Sequence, residues 1–407
     1  MLTRLVEWSL SQRLLTLAAT LAVALAGVHA YLNLPIDAFP DISPTQVKLI
    51  LKAPGMTPEE VESRVVVPLE LGLLGIPKQT MLRSSAKYAI ADITIDFAEG
   101  TDIYWARQQV AERYGDVAGD LPDGISGGLA PLATPLSDLF MFTIEGGNLD
   151  PQERRALLDW TLRPALRMIP GVADVNALGG EVRTMTVVPD REALTRTRLS
   201  FSDVIAAIKG NNRNDGAGRL GDGEETLIVR AEGAIGTLAD LREIVVTERD
   251  GHPVRIGDIA AVRTDGLTRY GAVTRDGVGE AVEGLVVGLR GANAAEVVKL
   301  VRARLDEMAS TLPAGVHIEV FYDRSALIGR AVGTVTKALF EASILVVVLL
   351  LVFLGDLRAA VVVTLLLPLA ALVTFILMRQ FGLTANLMSL SGLAIAIGML
   401  VDAAVVV

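Results

Sequence analysis

The chain has 407 residues, 51% of them hydrophobic and 21% charged, with a mean hydropathy of +0.46. That mixture excludes an ordinary soluble protein and a wholly membrane-buried one, and at about 150 residues per domain it leaves room for two or three domains. A net charge of −10 and the absence of Cys exclude a generally basic nucleic-acid binder, disulfides, thiolate metal sites and Cys nucleophiles.

Residues 1–13 carry Arg4 and Arg13, and an apolar run, Leu14–Leu32, follows. It is long enough to span a bilayer. The sequence after it, LNLPIDAFPDIS, lacks the small-residue cleavage pattern of a signal peptide. No basic residue follows until Lys48, so the N-terminus reads as cytoplasmic and the next large segment as outside.

Residues 34–137 read as strand, helix, strand, strand, helix, strand. Ala91–Phe97 alternates apolar and polar residues as a half-buried strand does. Thr57-Pro58-Glu59-Glu60 is a capping box with Pro at the first helical position. The Tyr104-Trp105 pair falls on a helix and reads as core.

A similar order resumes over 138–181 and 276–336, with strands at 139–146 and 316–322. Helix starts stand at Asp150-Pro151-Gln152-Glu153 and Asn293-Ala294-Ala295-Glu296. This is the split βαβ, ferredoxin-like pattern, twice over; the last strand could join either sheet. Residues 182–275 break the rhythm and read as an inserted module. The glycines at 216–221 lack the strand–turn–helix context of a phosphate loop and read as a surface loop.

Three further apolar segments follow, at 337–355, at 359–379 with Pro368 inside, and at 386–407. The fold class is therefore an α/β membrane protein. The last segment is still apolar at Val407, so the chain reads as the N-terminal portion of something longer. Arg324, Arg330 and Lys337, just ahead of the second segment, argue against the orientation that Arg4 and Arg13 set.

Asp402 lies inside the last apolar segment, among Ala394, Ala396, Gly398, Ala403 and Ala404. A carboxylate in hydrocarbon costs about 2.5–3.5 kcal/mol on insertion scales, so it points to function. Small neighbours let another helix approach closely. Two readings stay open: a proton relay, or a structural ion pair with a Lys or Arg of another helix. His29 and Glu341 sit near helix ends, where polar groups are ordinary. Met378, Met388 and Met399 are soft thioethers that suit Cu(I) or Ag(I), or serve as filler.

Several strings together resemble the resistance–nodulation–division efflux pumps, in their heavy-metal branch. They are LPIDAFPDIS (34–43), FAEGTDIYWAR (97–107), LDWTLRPALRMIPGVADVNALGG (158–180), FYDRSALIGRA (321–331) and ANLMSLSGLAIAIGMLVDAAVVV (385–407). The resemblance implies two ferredoxin-like porter subdomains split by a docking module, all periplasmic. It implies an inner-membrane homotrimer with twelve membrane helices, joined to a periplasmic adaptor and an outer-membrane channel. Such pumps exchange protons for a metal cation as substrate, with no cofactor, and Asp402 matches the helix-four carboxylate of their proton relay.

Two positions disagree about the metal. Zinc/cobalt/cadmium-type pumps carry Asp-Phe-Gly where this chain has Ala396-Ile397-Gly398, which is closer to the copper/silver type. Asp138 instead falls where divalent exporters have an acidic residue near their periplasmic site. Its plain alternative is an exposed carboxylate at a strand start. Met388 is the candidate soft ligand. Efflux of organic compounds is the rival within transport, but that branch has two adjacent Asp where this chain has Asp402-Ala403. A membrane-anchored sensor or assembly protein is the rival outside it, and would not need Asp402.

Overall fold

The computed structural model describes residues 11–34, 37, 40–222, 225–249, 251–269, 271–354, 357–386, 388–393, 395–396 and 399. Helix α1 (Arg13–Leu32) opens it. Among the described residues it is the one helix long and apolar enough to cross a membrane. Leu14, Leu17, Leu25 and Leu32 are exposed, and only Gly27 and Ala30 are buried.

Strand β1 (Gln46–Lys52) alternates buried and exposed residues, as a strand with one covered face must. Thr57 then caps α2 (Pro58–Val61), accepting from the Glu60 N–H while Glu60 accepts from the Thr57 N–H. A π-turn (Glu62–Val66) leads into α3 (Val67–Leu73). Pro68 explains the wide turn: it donates no N–H and crowds the carbonyl four residues back. Next come β2 (Gln79–Lys87), β3 (Ile90–Phe97), α4 (Ile103–Ala118) and β4 (Ser126–Leu129). The sheet order β2-β3-β1-β4 is the ferredoxin-like order. Leu49 pairs with Ile93 on one side and Leu129 on the other. Leu49, Leu51, Val61, Leu69, Ile93, Ile95 and Val110 form its core. Each contributes about 1.5–3 kcal/mol on burial. Trp105 packs against this core. Tyr104, expected there too, is 66% exposed, because it falls on the outer stripe of α4.

Strand β5 (Asp138–Gly146) starts the second sheet. Asp150 and Glu153 cap α5 (Pro151–Leu157) reciprocally. A second π-turn (Leu158–Leu162) again ends two residues before a proline, Pro164, in α6 (Arg163–Arg167). Strand β6 (Val172–Leu178) follows.

Residues 146–161 and 177–282 make up a compact unit of their own. In it β7 (Arg183–Pro189) is followed by α7 (Arg191–Thr197) and α8 (Phe201–Asn211). The hairpin β8 (Asn214–Asp222) and β9 (Glu225–Glu232) comes next. After it come α9 (Leu238–Glu243), β10 (Val245–Arg249), β11 (His252–Arg255), α10 (Ile256–Ile259) and β12 (Ala260–Gly266), which pairs with β7. The pair β13 (Val273–Arg275) and β14 (Gly279–Ala281) ends the unit. The glycines at 216–221, expected in a loop, lie in β8. Antiparallel pairing with β9 holds them, with a bulge between Gly216 and Gly218.

Strand β15 (Glu283–Gly288), helix α11 (Ala294–Met308) and strand β16 (Val316–Asp323) complete the second sheet, ordered β16-β5-β15-β6. This is the ferredoxin-like order again, with the larger part of the separate unit inserted in the chain between its second and third strands. β16 is thus hydrogen-bonded beside β5 and does not join the first sheet. Phe140, Phe142, Ile144, Val286, Val298 and Val301 are buried. Gly284 leaves room for Phe142, whose ring would lie 2.3 Å from a Cβ there.

Helix α12 (Arg324–Leu354) follows β16 with no loop. It starts well ahead of the apolar run at 337–355. Hydropathy registers only the stretch fit for lipid, while a helix also runs through polar residues. Helix α13 (Leu357–Gln380) holds Pro368. Asn386 then accepts from the Ser389 N–H and starts the last described helical residues.

Candidate functional site at the foot of the second sheet

Asp138 opens β5. A short turn sets its position: Ser137 Oγ accepts from the Thr134 N–H at 2.8 Å, and the Ser137 carbonyl accepts from the Gly288 N–H at 2.7 Å. The Asp138 backbone lies opposite Val287 across a bulge. Its carboxylate is half-buried and makes no hydrogen bond or ion pair with a described residue. Glu283, on the neighbouring strand, has its carboxyl pushed up by burial, with the negative charge of Asp138 adding to the effect. Register places Glu283 opposite Thr143, so the repulsion acts at a distance along the sheet. A cation near Asp138 would relieve it. Among the described residues, no group of three or more His, Asp or Glu is placed to hold a metal.

Beneath β5 two arginines converge on the segment that follows α1. Arg324 Nε donates to Asp37 Oδ1 at 2.9 Å, and Nη2 lies 2.7 Å from the same oxygen. Its Nη1 donates to the Leu136 carbonyl. The Arg324 side chain is only 6% exposed. The Asp37 N–H donates in turn to the Ala385 carbonyl at 3.0 Å. Arg290 donates from Nη2 to the Ser43 carbonyl at 2.6 Å and from Nη1 to the Pro44 carbonyl at 3.2 Å. It also lies 3.5 Å from Asp41. A cavity of about 310 Å³ opens among Asp37, Asp41, Ser137, Arg290 and Thr384.

Asp323, just before Arg324, is acceptor for the Ser325 N–H and Oγ, the Ala326 N–H and the Arg302 guanidinium. Burial pushes its carboxyl up, but these donors outweigh burial and hold it below the usual range. The Arg302 guanidinium also stands 5.2 Å from the centre of the Phe140 ring.

The other sequence candidates take no polar part in this cluster or lie outside the described residues. Met388 is 68% exposed, and Met378 is buried with Leu34 and Ala385. The His29 carbonyl accepts from Asn33 Nδ2 at 2.8 Å. Glu341 faces Lys337 at 3.8 Å in an exposed pair. Asp402 lies outside the described residues. Sequence reading missed Asp37 and Arg324 as a pair. Each sits in a string that carries the family resemblance, but nothing in either string names the other as partner.

A family model described as the AcrB/AcrD/AcrF family matches residues 5–407. Protein HelA of Legionella pneumophila is 38% identical over 414 residues, covering 100% of this chain and 39% of that protein. Similar too is the cobalt-zinc-cadmium resistance protein CzcA of Cupriavidus metallidurans, 38% identical over 416 residues with the same coverage. Cation efflux system protein CusA of Escherichia coli is 37% identical, covering 99% of this chain and 39% of its own. Two crystal forms of a heavy metal efflux pump superpose with TM-scores of 0.87 and 0.88 at 34% identity. They cover 95% and 98% of this chain and 39% and 40% of theirs. The chain thus spans about two-fifths of the length of these relatives.

Proposed function

This chain belongs to the AcrB/AcrD/AcrF family, and we propose that it is the N-terminal part of a proton-driven pump that exports heavy-metal cations across the inner membrane. The observation that carries this reading is likeness over essentially the whole chain to relatives named for cobalt, zinc and cadmium resistance and for cation efflux. The substrate is a metal cation, and the pump is a secondary transporter with no enzymatic step.

In this reading α1 and the later apolar helices span the membrane, and the two sheets and the inserted unit stand in the periplasm. The orientation is the one Arg4 and Arg13 set, since the first helix usually dominates topology. Asp402 takes up and releases the proton. Asp138 holds a borderline or hard cation on its way out, and Met388 serves a soft one. The working unit is a homotrimer, joined to a periplasmic adaptor and an outer-membrane channel.

Expression of the full-length protein in cells stripped of their own metal exporters tests the function. Raised tolerance to zinc, cobalt, nickel, cadmium, copper or silver is expected, with no change toward dyes or detergents. Protection against organic compounds alone would overturn the metal reading.

A further inference from the structure

Arg324 joins β16 to α12 through its backbone and holds two further segments through its guanidinium. It is the first residue of α12 and directly continues β16. Through the Leu136 carbonyl it holds the turn that sets Asp138, two residues on. Through Asp37 it holds the chain just past α1, and the Asp37 N–H reaches Ala385, ahead of the helical residues that begin at 388. A buried ion pair is weak evidence for stability, since well-packed apolar residues often do as well. Its planar fork does something apolar groups cannot: it fixes a carboxylate and a carbonyl in one geometry. The cavity beside Asp37 leaves room for that geometry to change.

We propose that Arg324, with Asp37 as its partner, is a positioning residue that couples the foot of the second sheet to the membrane helices. A shift at Asp138 moves the Leu136 carbonyl and turns the Arg324 fork. Asp37 follows, and with it the backbone at Ala385. Lys at 324 would keep the charge but could not hold both partners in the plane that the fork defines. This inference rests on the metal-pump reading for its consequence in transport, but the junction itself can be read without any ion.

The test uses the purified full-length protein with Arg324→Lys and, separately, Asp37→Asn. In proteoliposomes, transport of Zn²⁺ or Ag⁺, whichever the wild type moves, is expected to fall at least tenfold per folded pump. Binding of the same ion in detergent should stay within about twofold; Arg324→Lys should melt closer to wild type than Asp37→Asn, which leaves a buried guanidinium without its carboxylate, so flux is read per folded pump. Flux at the wild-type rate per folded pump would overturn the proposal. So would a loss of flux fully accounted for by lost folding or lost binding. Hydrogen exchange on the same samples decides the junction even if the wild type moves neither ion. Faster exchange is expected at both 134–138 and 383–386, with the first sheet unchanged. Faster exchange confined to the start of α12 would overturn it.

Discussion

Gly27 of α1 lies directly against Leu372 of α13, so that a Cβ on Gly27 would fall 2.5 Å from the Leu372 Cβ and 3.0 Å from its Cα. Tyr31 and Phe375 continue the contact one turn on, with ring centroids 5.1 Å apart. Small residues let helices approach this closely.

Gly27→Val is therefore expected to force α1 and α13 apart. Overpacking of this kind costs about 1–3 kcal/mol. Thermal unfolding of the full-length protein in detergent checks it, with Gly329→Ala as control, since a Cβ at Gly329 meets nothing within 4 Å. The first should lower the midpoint and the second leave it or raise it slightly. Equal midpoints for Gly27→Val and wild type would show that the contact gives way freely.

Asp323 sets a pH dependence. Its folded carboxyl is held low, net of burial, by Ser325, Arg302 and the Ala326 N–H. A lowered folded value means the stabilisation is complete above the unfolded carboxyl value, about 3.9, and is lost as pH falls through the folded value. The wild type should lose stability across that acidic window. Asp323→Asn should be less stable near neutrality and change less on acidification. Parallel melting curves for the two proteins from neutral to acid pH would contradict this assignment.

Asp138 tests the export site. Asp138→Ala in the full-length protein should lower tolerance to zinc, cobalt, nickel or cadmium severalfold, with protein levels unchanged. Silver and copper tolerance should move less, because a carboxylate is a poor ligand for soft ions. Unaltered tolerance to every metal would return Asp138 to an ordinary strand-start carboxylate.

Much of the local structure was legible in the chain. Period-two alternation marked Ala91–Phe97, which lies within β3 (Ile90–Phe97), and the Thr57 and Asp150 boxes marked two helix starts, because both signals are short-range. The pair Asp37–Arg324 was not legible, because its members stand 287 positions apart and only the closed fold joins them. The sheet that β16 joins was open for the same reason: strand pairing is a tertiary choice. Tyr104 failed differently. It lies off the stripe that Ile103, Ala106, Val110 and Tyr114 turn to the core. The start of α12 at Arg324 escaped hydropathy because helix and lipid contact are separate properties.

Proton coupling through Asp402 can be read from one substitution. Asp402→Asn keeps the size of the side chain and removes its titration. Full-length wild type and variant would be reconstituted in vesicles under an imposed proton gradient, with metal flux and lumenal pH followed together. The variant is expected to insert, assemble and bind its cation, yet to show neither gradient-driven metal flux nor metal-dependent proton movement. Metal flux by Asp402→Asn at the wild-type rate, with protons still moving, would contradict it and leave Asp402 as a structural ion pair.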